Sequence, residues 1–144
     1  MLKLLTVTEK LWDEAWERQI TCENPGIAWV ETSCNGLTAL ERISKLKPDI
    51  LIVDTDLKDI SGLIVAKNAV RKVPDIKIIF ISGFKDYKFA KEALRLKACA
   101  YLLKPVDCME LSAAVGRAVC QRLEEMVFEE EKARLSRFIY AGCL

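Results

Sequence analysis

The 144 residues contain no histidine. That removes the commonest general base and the commonest metal ligand. It excludes hydrolases built on a serine–histidine or cysteine–histidine pair. Six cysteines are present (Cys22, Cys34, Cys99, Cys108, Cys120 and Cys143), but none form a C-x-x-C pair and none sit at zinc-ligand spacing. They read as reduced thiols, so a cytoplasmic location is expected. No apolar run approaches the roughly 20 residues that a membrane helix needs. The opening Met1-Leu2-Lys3-Leu4-Leu5 is too short and too soon charged for a signal peptide. Neither sign of charge prevails: 22 basic residues against 21 acidic ones give a net +1. Such a balance has no general pull toward nucleic acid or an anionic membrane, and neither is expected as a direct partner.

What is present is apolar patterning. At 51% hydrophobic residues, the chain has ample material for the core of one domain. Short β-type runs alternate with helix-periodic stretches. Strands are predicted at Lys3–Val7, Ile27–Thr32, Ile50–Val53, Ile76–Ser82 and Ala100–Leu103. Helices are predicted at Leu11–Ile20, Leu37–Leu46, Leu63–Val73 and Tyr87–Leu96, and from Asp107 to about Phe138. Pro25-Gly26, Pro48 and Pro74 punctuate them. Ile50–Val53 is wholly apolar, as suits a strand of a parallel sheet buried on both faces. Five strands alternating with five helices predict an α/β fold, a doubly wound five-stranded parallel sheet flanked by helices, with an extended C-terminal helix. Right-handed crossovers then place every strand C-terminus along one edge, where ligand chemistry in such folds sits.

The residues just past those strand ends are chemically informative. Thr8 and Glu9 follow the first strand, and Asp54 and Asp56 follow the third. Ser82-Gly83 ends the fourth and Lys104-Pro105 the fifth. A carboxylate can attack phosphorus to form an acyl phosphate. A lysine and a hydroxyl can hold phosphoryl oxygens, and oxygen ligands can hold magnesium.

Four motifs make the pattern specific. They are Pro48-Asp49-Ile50-Leu51-Ile52-Val53-Asp54 with Ser61-Gly62-Leu63, then Ile81-Ser82-Gly83-Phe84, then Ala100-Tyr101-Leu102-Leu103-Lys104-Pro105-Val106, and Asn35-Gly36 with Ala39-Leu40. In order and at the right strand ends, over residues 3 to about 122, they resemble the receiver domain of two-component response regulators. The finer pattern is similar to receivers joined to arabinose-regulator-type DNA-binding domains. The resemblance implies a flavodoxin-like receiver fold with Asp54 as phosphoacceptor. It implies that Ser82 is the hydroxyl that swings toward the phosphate, with Tyr101 as the aromatic switch that follows it. Lys104 would contact the phosphoryl group, and Pro105 would follow a cis peptide bond. A sensor histidine kinase is the implied donor, and control of transcription the implied output. The chemistry is self-directed and stoichiometric, so a turnover enzyme is not expected.

The sequence also departs from that family. Its usual pair of aspartates after the first strand reads Thr8 and Glu9 here. Thr8 removes a negative charge, and Glu9 lengthens a carboxylate by one methylene. Magnesium demands near-ideal octahedral geometry, so weak or absent binding is expected from the metal set Glu9, Asp54 and Asp56. Two alternatives stay open: Asp56 as a replacement carboxylate, or an ammonium from Lys10 or Lys58 where the metal would sit. Lys58 stands where the family commonly has proline, and Lys97 where it commonly has glycine. A lysine in a left-handed backbone conformation there costs about 1–2 kcal/mol. The departures also support an alternative function, a degenerate pseudo-receiver that binds protein without phosphorylation.

The expected division is a receiver domain at 1–122 and a helical extension or linker at 123–144. The run Glu129-Glu130-Glu131-Lys132 reads as a solvated helix face. Val119, Leu123, Met126, Val127, Leu135 and Phe138 seek a partner, either a second copy in a homodimer or a following DNA-binding domain if the chain is a fragment. Trp12, Trp16 and Trp29 read as packing or surface anchors.

Overall fold

Ile50–Val53 lies sealed from water at the centre of a five-stranded parallel sheet of strand order β2-β1-β3-β4-β5. The structure is a computed structural model, and it describes residues 2–9, 14–83 and 85–142. The elements in chain order are β1 (Leu2–Val7), α1 (Glu14–Glu23), β2 (Ile27–Ser33), α2 (Gly36–Leu46), β3 (Ile50–Asp54), α3 (Gly62–Lys72), β4 (Lys77–Ser82), α4 (Tyr87–Arg95), β5 (Ala100–Leu103) and α5 (Cys108–Gly142). This is the doubly wound arrangement that the alternation of runs predicts. Lys10, Leu11, Trp12, Asp13 and Phe84 lie outside the described residues. No helix among the described residues is long and apolar enough to cross a membrane. The five described cysteines form no disulfide.

Strand side chains alternate between two faces, and both faces are buried. Leu5, Val7, Leu51, Val53, Ile78 and Phe80 face the layer of α2, α3 and α4. Leu2, Leu4, Ile50, Ile52, Ile79 and Ile81 meet Leu111, Ala114, Val115, Ala118 and Val119 of α5. The α5 set recurs at helical spacing, and its two alanines let the helix approach the sheet closely. Trp16 packs at the edge of the same cluster. Helix α1 runs three residues past the predicted Ile20. Thr21 Oγ1 donates to the Glu17 carbonyl at 2.9 Å within the added turn, and Ser112 Oγ donates to Glu23, tying α1 to α5.

Helix α5 continues well beyond the sheet. Arg122 Nε donates to Asp49 Oδ1 at 3.2 Å, and Asp49 Oδ2 accepts the Lys3 amide at 3.0 Å. Lys77 pairs with Glu125, and Met126 still packs against the core. Past that point Val127, Phe128, Leu135, Phe138 and Ile139 are all exposed. The packed part of the helix therefore reaches one turn beyond residue 122.

Two helix ends are built by lysines. Lys47 (φ 48°) closes α2, and Lys97 (φ 58°) follows α4. At α4 the Ala98 amide donates to Ala93 O and the Lys97 amide to Leu94 O, both at 3.0 Å. That is the paired closure of a Schellman turn, whose left-handed position favours glycine because glycine has no Cβ to clash. Lys97→Gly should stabilise the fold by about 0.5–1 kcal/mol, the steric relief less the extra unfolded-state entropy of glycine. Thermal denaturation should show a midpoint higher by about 1–4 °C; an unchanged or lower midpoint would mean that the lysine is not strained.

The N-terminus of α2 is held from two directions. Asn35 Oδ1 accepts the Thr38 amide at 2.8 Å. Asp59, distant in sequence, accepts the Gly36 amide at 3.0 Å and the Leu37 amide at 2.9 Å. Together they satisfy three of the donors that a helix start leaves without a partner. The backbone N–H of Leu37, and then that of Gly36, hold the Asp59 carboxyl below its ordinary value of 3.8. The depressed value means that this stabilisation is complete above pH 3.8 and is lost as pH falls through the folded-state value. Asp59→Asn should therefore be less stable at neutral pH and lose less stability on acidification. Urea midpoints measured from pH 7 down to pH 3 would show parallel curves for the two proteins if the contact contributes nothing.

Candidate functional site

The order of the strands reverses between β1 and β3, and the crevice outside their C-terminal ends is where open α/β sheets place ligands. Asp54 ends β3 at this crevice and is only 4% exposed. Its position is set by backbone on three sides. The Thr55 amide donates to Ile81 O at 2.9 Å, extending the β3–β4 ladder past the carboxylate. The Asp56 amide donates to Asp54 Oδ1 at 2.9 Å. On the third side, a Cβ built on Gly62 would stand 2.1 Å from the Asp54 carbonyl oxygen. Only glycine lets the first turn of α3, capped by Ser61, lie this close to the strand end.

Lys104 supplies the opposite charge. Its Nζ lies 2.6 Å from Asp54 Oδ2 and 3.6 Å from Asp56 Oδ2. The Lys104 amide donates to Ser82 O at 2.8 Å, which places the lysine beside the end of β4, and the Lys104–Pro105 peptide is cis as the resemblance implies. The Gly83 amide donates to Asp56 Oδ2 at 3.0 Å, binding the loop after β4 to the loop after β3. Ser82 is fully buried and follows Ile81, the register partner of Asp54. Asp54, Asp56 and Lys104 are thus in direct contact, with Ser82 at the adjoining strand end.

Tyr101 stands one strand further out. It is the register partner of Phe80, its ring centroid 6.3 Å from that ring, and it packs against the α3–α4 side of the core. Its hydroxyl is enclosed and finds no protein hydrogen-bond partner. The ring borders an open cleft with Lys85, Asp86, Tyr87, Ala90 and Leu103.

Glu9 is directed elsewhere: its Oε1 accepts the backbone N–H of Lys58. Among the described residues no group of three Asp, Glu or Cys side chains is arranged to hold a metal ion. The carboxylates of Asp54 and Asp56 share Lys104. As placed, Glu9, Asp54 and Asp56 do not form a magnesium set. Thr8 continues the β1–β2 ladder through its amide, 3.1 Å from Ser33 O. Asp59, Gly62 and the Lys58 amide were not singled out as site-forming by sequence reasoning. The Ser61-Gly62 pair entered the sequence reading only as part of the motif around Asp54, and the glycine's closeness to Asp54 has no local sequence signature.

Chemically, the arrangement presents a buried carboxylate oxygen beside an ammonium, with a hydroxyl at the neighbouring strand end. A sequence profile described as response regulator receiver domain matches residues 9–116. The chain is 26% identical over 132 residues to the uncharacterized transcriptional regulatory protein YesN of Bacillus subtilis, a match that covers 92% of this chain and 36% of that one. It is also 26% identical over 98 residues to the transcriptional regulatory protein DegU of Brevibacillus brevis, covering 68% and 42%. The chain therefore spans well under half the length of these curated relatives. Among solved structures, the REC domain of AraT, a response regulator from Geobacillus stearothermophilus, superposes with a TM-score of 0.72 at 28% identity, covering 87% of this chain and 98% of that one. The signal receiver domain of a Luxo repressor protein from Vibrio parahaemolyticus gives 0.75 at 21% identity, covering 88% and 96%, a likeness of fold. The profile match over most of the chain, on the fold and strand-end residues just described, places the protein in a family: it belongs to the response regulator receiver domains of two-component systems.

Proposed function

We propose that the protein accepts a phosphoryl group on Asp54 from a partner histidine kinase and thereby switches a protein-interaction surface that controls transcription. The observation that carries this reading is the buried Asp54 carboxylate held 2.6 Å from Lys104 at the C-terminal edge of the central strand. In the transfer an Asp54 oxygen forms a bond to phosphorus as the phosphorus–nitrogen bond of a phosphohistidine breaks. The departing imidazole nitrogen keeps the bonding electron pair and takes a proton from solvent. Lys104 neutralises part of the added charge of about −2, and Ser82 turns its hydroxyl to the new oxygens. Tyr101 then moves with Ser82, and its partnerless hydroxyl and the adjoining cleft give that movement a readout at the surface. The event is stoichiometric, one phosphoryl group per chain, and not turnover. No step is assigned to magnesium, whose binding is expected to be weaker than in receivers with an aspartate pair.

Transcription enters through the relatives named as transcriptional regulatory proteins, of which this chain matches a part. If the chain is part of a longer regulator, DNA binding belongs to another domain of it; a cytoplasmic location is part of the same proposal. The receiver unit is residues 1–122, with 123–144 as the extension. Glu125 and Met126 form the first turn of that extension and stay on the core.

The test of Asp54 is intact mass after treatment with a small acyl-phosphate donor. A gain of one phosphoryl group is expected, and Asp54→Asn should abolish it. A gain that persists in that variant removes Asp54 from the role. The extension should also support a homodimer through Val127, Phe128, Leu135, Phe138 and Ile139, all exposed in the single chain. Sedimentation should show self-association that is lost when the chain ends at Met126, and identical monomeric behaviour of both lengths would make the extension a plain linker.

A further inference from the structure

Glu9 occupies the place where the family has a metal-binding aspartate, yet its carboxylate is committed to another bond. It accepts the backbone N–H of Lys58, in the loop between β3 and α3. That donor exists only because residue 58 is not proline, the residue common there in the family. The same loop is anchored on either side of Lys58. Asp56 is held by the Gly83 amide and by Lys104, and Asp59 by the amides of Gly36 and Leu37. Leu57 is buried in the core between them. Lys58 itself is exposed, and Glu9 is the side chain that restrains its amide.

We infer that Glu9 is a positioning residue for this loop, a clasp that keeps Asp56 aligned with Gly83 and Lys104, and not a magnesium ligand. Strands β1 and β3 are paired neighbours, with Val7 opposite Val53. Glu9 lies two residues past the end of β1 and Lys58 four residues past the end of β3, so the contact spans two adjacent loops above one strand pair. Two observations converge on the assignment: the bond to Lys58, and the failure of Glu9, Asp54 and Asp56 to gather as a metal group. The extra methylene of glutamate over aspartate, which spoils a compact magnesium site, is what lets the carboxylate reach across. The inference deepens the reading of the Asp54 site, but its readout is loop order. Its failure is therefore distinguishable from a failure of Asp54 to be phosphorylated.

The experiment is amide hydrogen exchange over residues 55–61 and the start of α2 in the full chain, with and without magnesium chloride. Glu9→Ala and Glu9→Asp should each raise exchange in this loop by about tenfold, the factor expected from losing one charge-assisted hydrogen bond. Glu9→Gln keeps an acceptor oxygen and should stay near the native rate. Millimolar magnesium should leave the native loop unchanged. The assignment is overturned if Glu9→Ala and Glu9→Asp exchange like the native chain. It is equally overturned if magnesium slows exchange in the native loop and Glu9→Ala removes that response, the signature of a metal ligand. Should Glu9→Ala not fold by circular dichroism, the contrast between Glu9→Gln and Glu9→Asp decides alone.

Discussion

A carboxylate at the end of a strand sealed from water requires a counter-charge, and Lys104 provides it to Asp54 at 2.6 Å. Water solvates ions far better than a protein interior does, so an isolated buried carboxylate would be costly to hold. Breaking such a pair by removing one partner costs about 3–5 kcal/mol, because the other charge stays buried. The requirement reaches outward. The lysine has to arrive from β5, so the β4–β5 ladder and the bond from its own amide to Ser82 O must be in register. Once both charges are placed, Asp56 can join at 3.6 Å without leaving the cluster strongly negative.

The top edge of the sheet is consequently a set of interlocked loops. The loop after β3 reaches the loop after β1 through Lys58, the loop after β4 through Asp56, and the start of α2 through Asp59. Each bond is individually modest, about 1.5–3 kcal/mol net for a hydrogen bond to a charged group. Their number matters more than their individual strength, because a movement of Asp56 displaces three neighbours.

The opposite edge is organised differently. There Arg122 and Lys77 meet Asp49, Asp75 and Glu125, a polar rim that fastens α5 to the starts of β3 and β4. This rim is where α5 stops being a wall of the core. On the near side its small and branched apolar residues cover the sheet; on the far side Phe128 and Phe138 are 65% and 74% exposed. A helix of 35 residues is roughly 52 Å long, far more than the sheet beneath it can cover.

The local physics of the chain made much of this legible in advance. The wholly apolar run Ile50–Val53 and the nearly apolar Ile76–Ser82 suit strands buried on both sides, and alternation with helical stretches makes a doubly wound sheet the consistent topology. Topology in turn carries Asp54, Ser82 and Lys104 to one edge, since parallel strands end on the same side. The left-handed turn at Lys97 was expected only through the family resemblance, which commonly has glycine at that place. What sequence order could not supply is the set of partners chosen across long separations. Glu9 meets Lys58 at a separation of 49 residues, Asp59 meets Gly36 at 23, and Arg122 meets Asp49 at 73. Nor does it reveal that the Asp54 carbonyl excludes any side chain at Gly62, or that Tyr101 encloses its hydroxyl. Burial and periodicity are properties of a segment and can be read along the chain. A hydrogen bond between two loops depends on how far each side chain reaches once neighbouring strands are in register, and that distance exists only in the folded molecule.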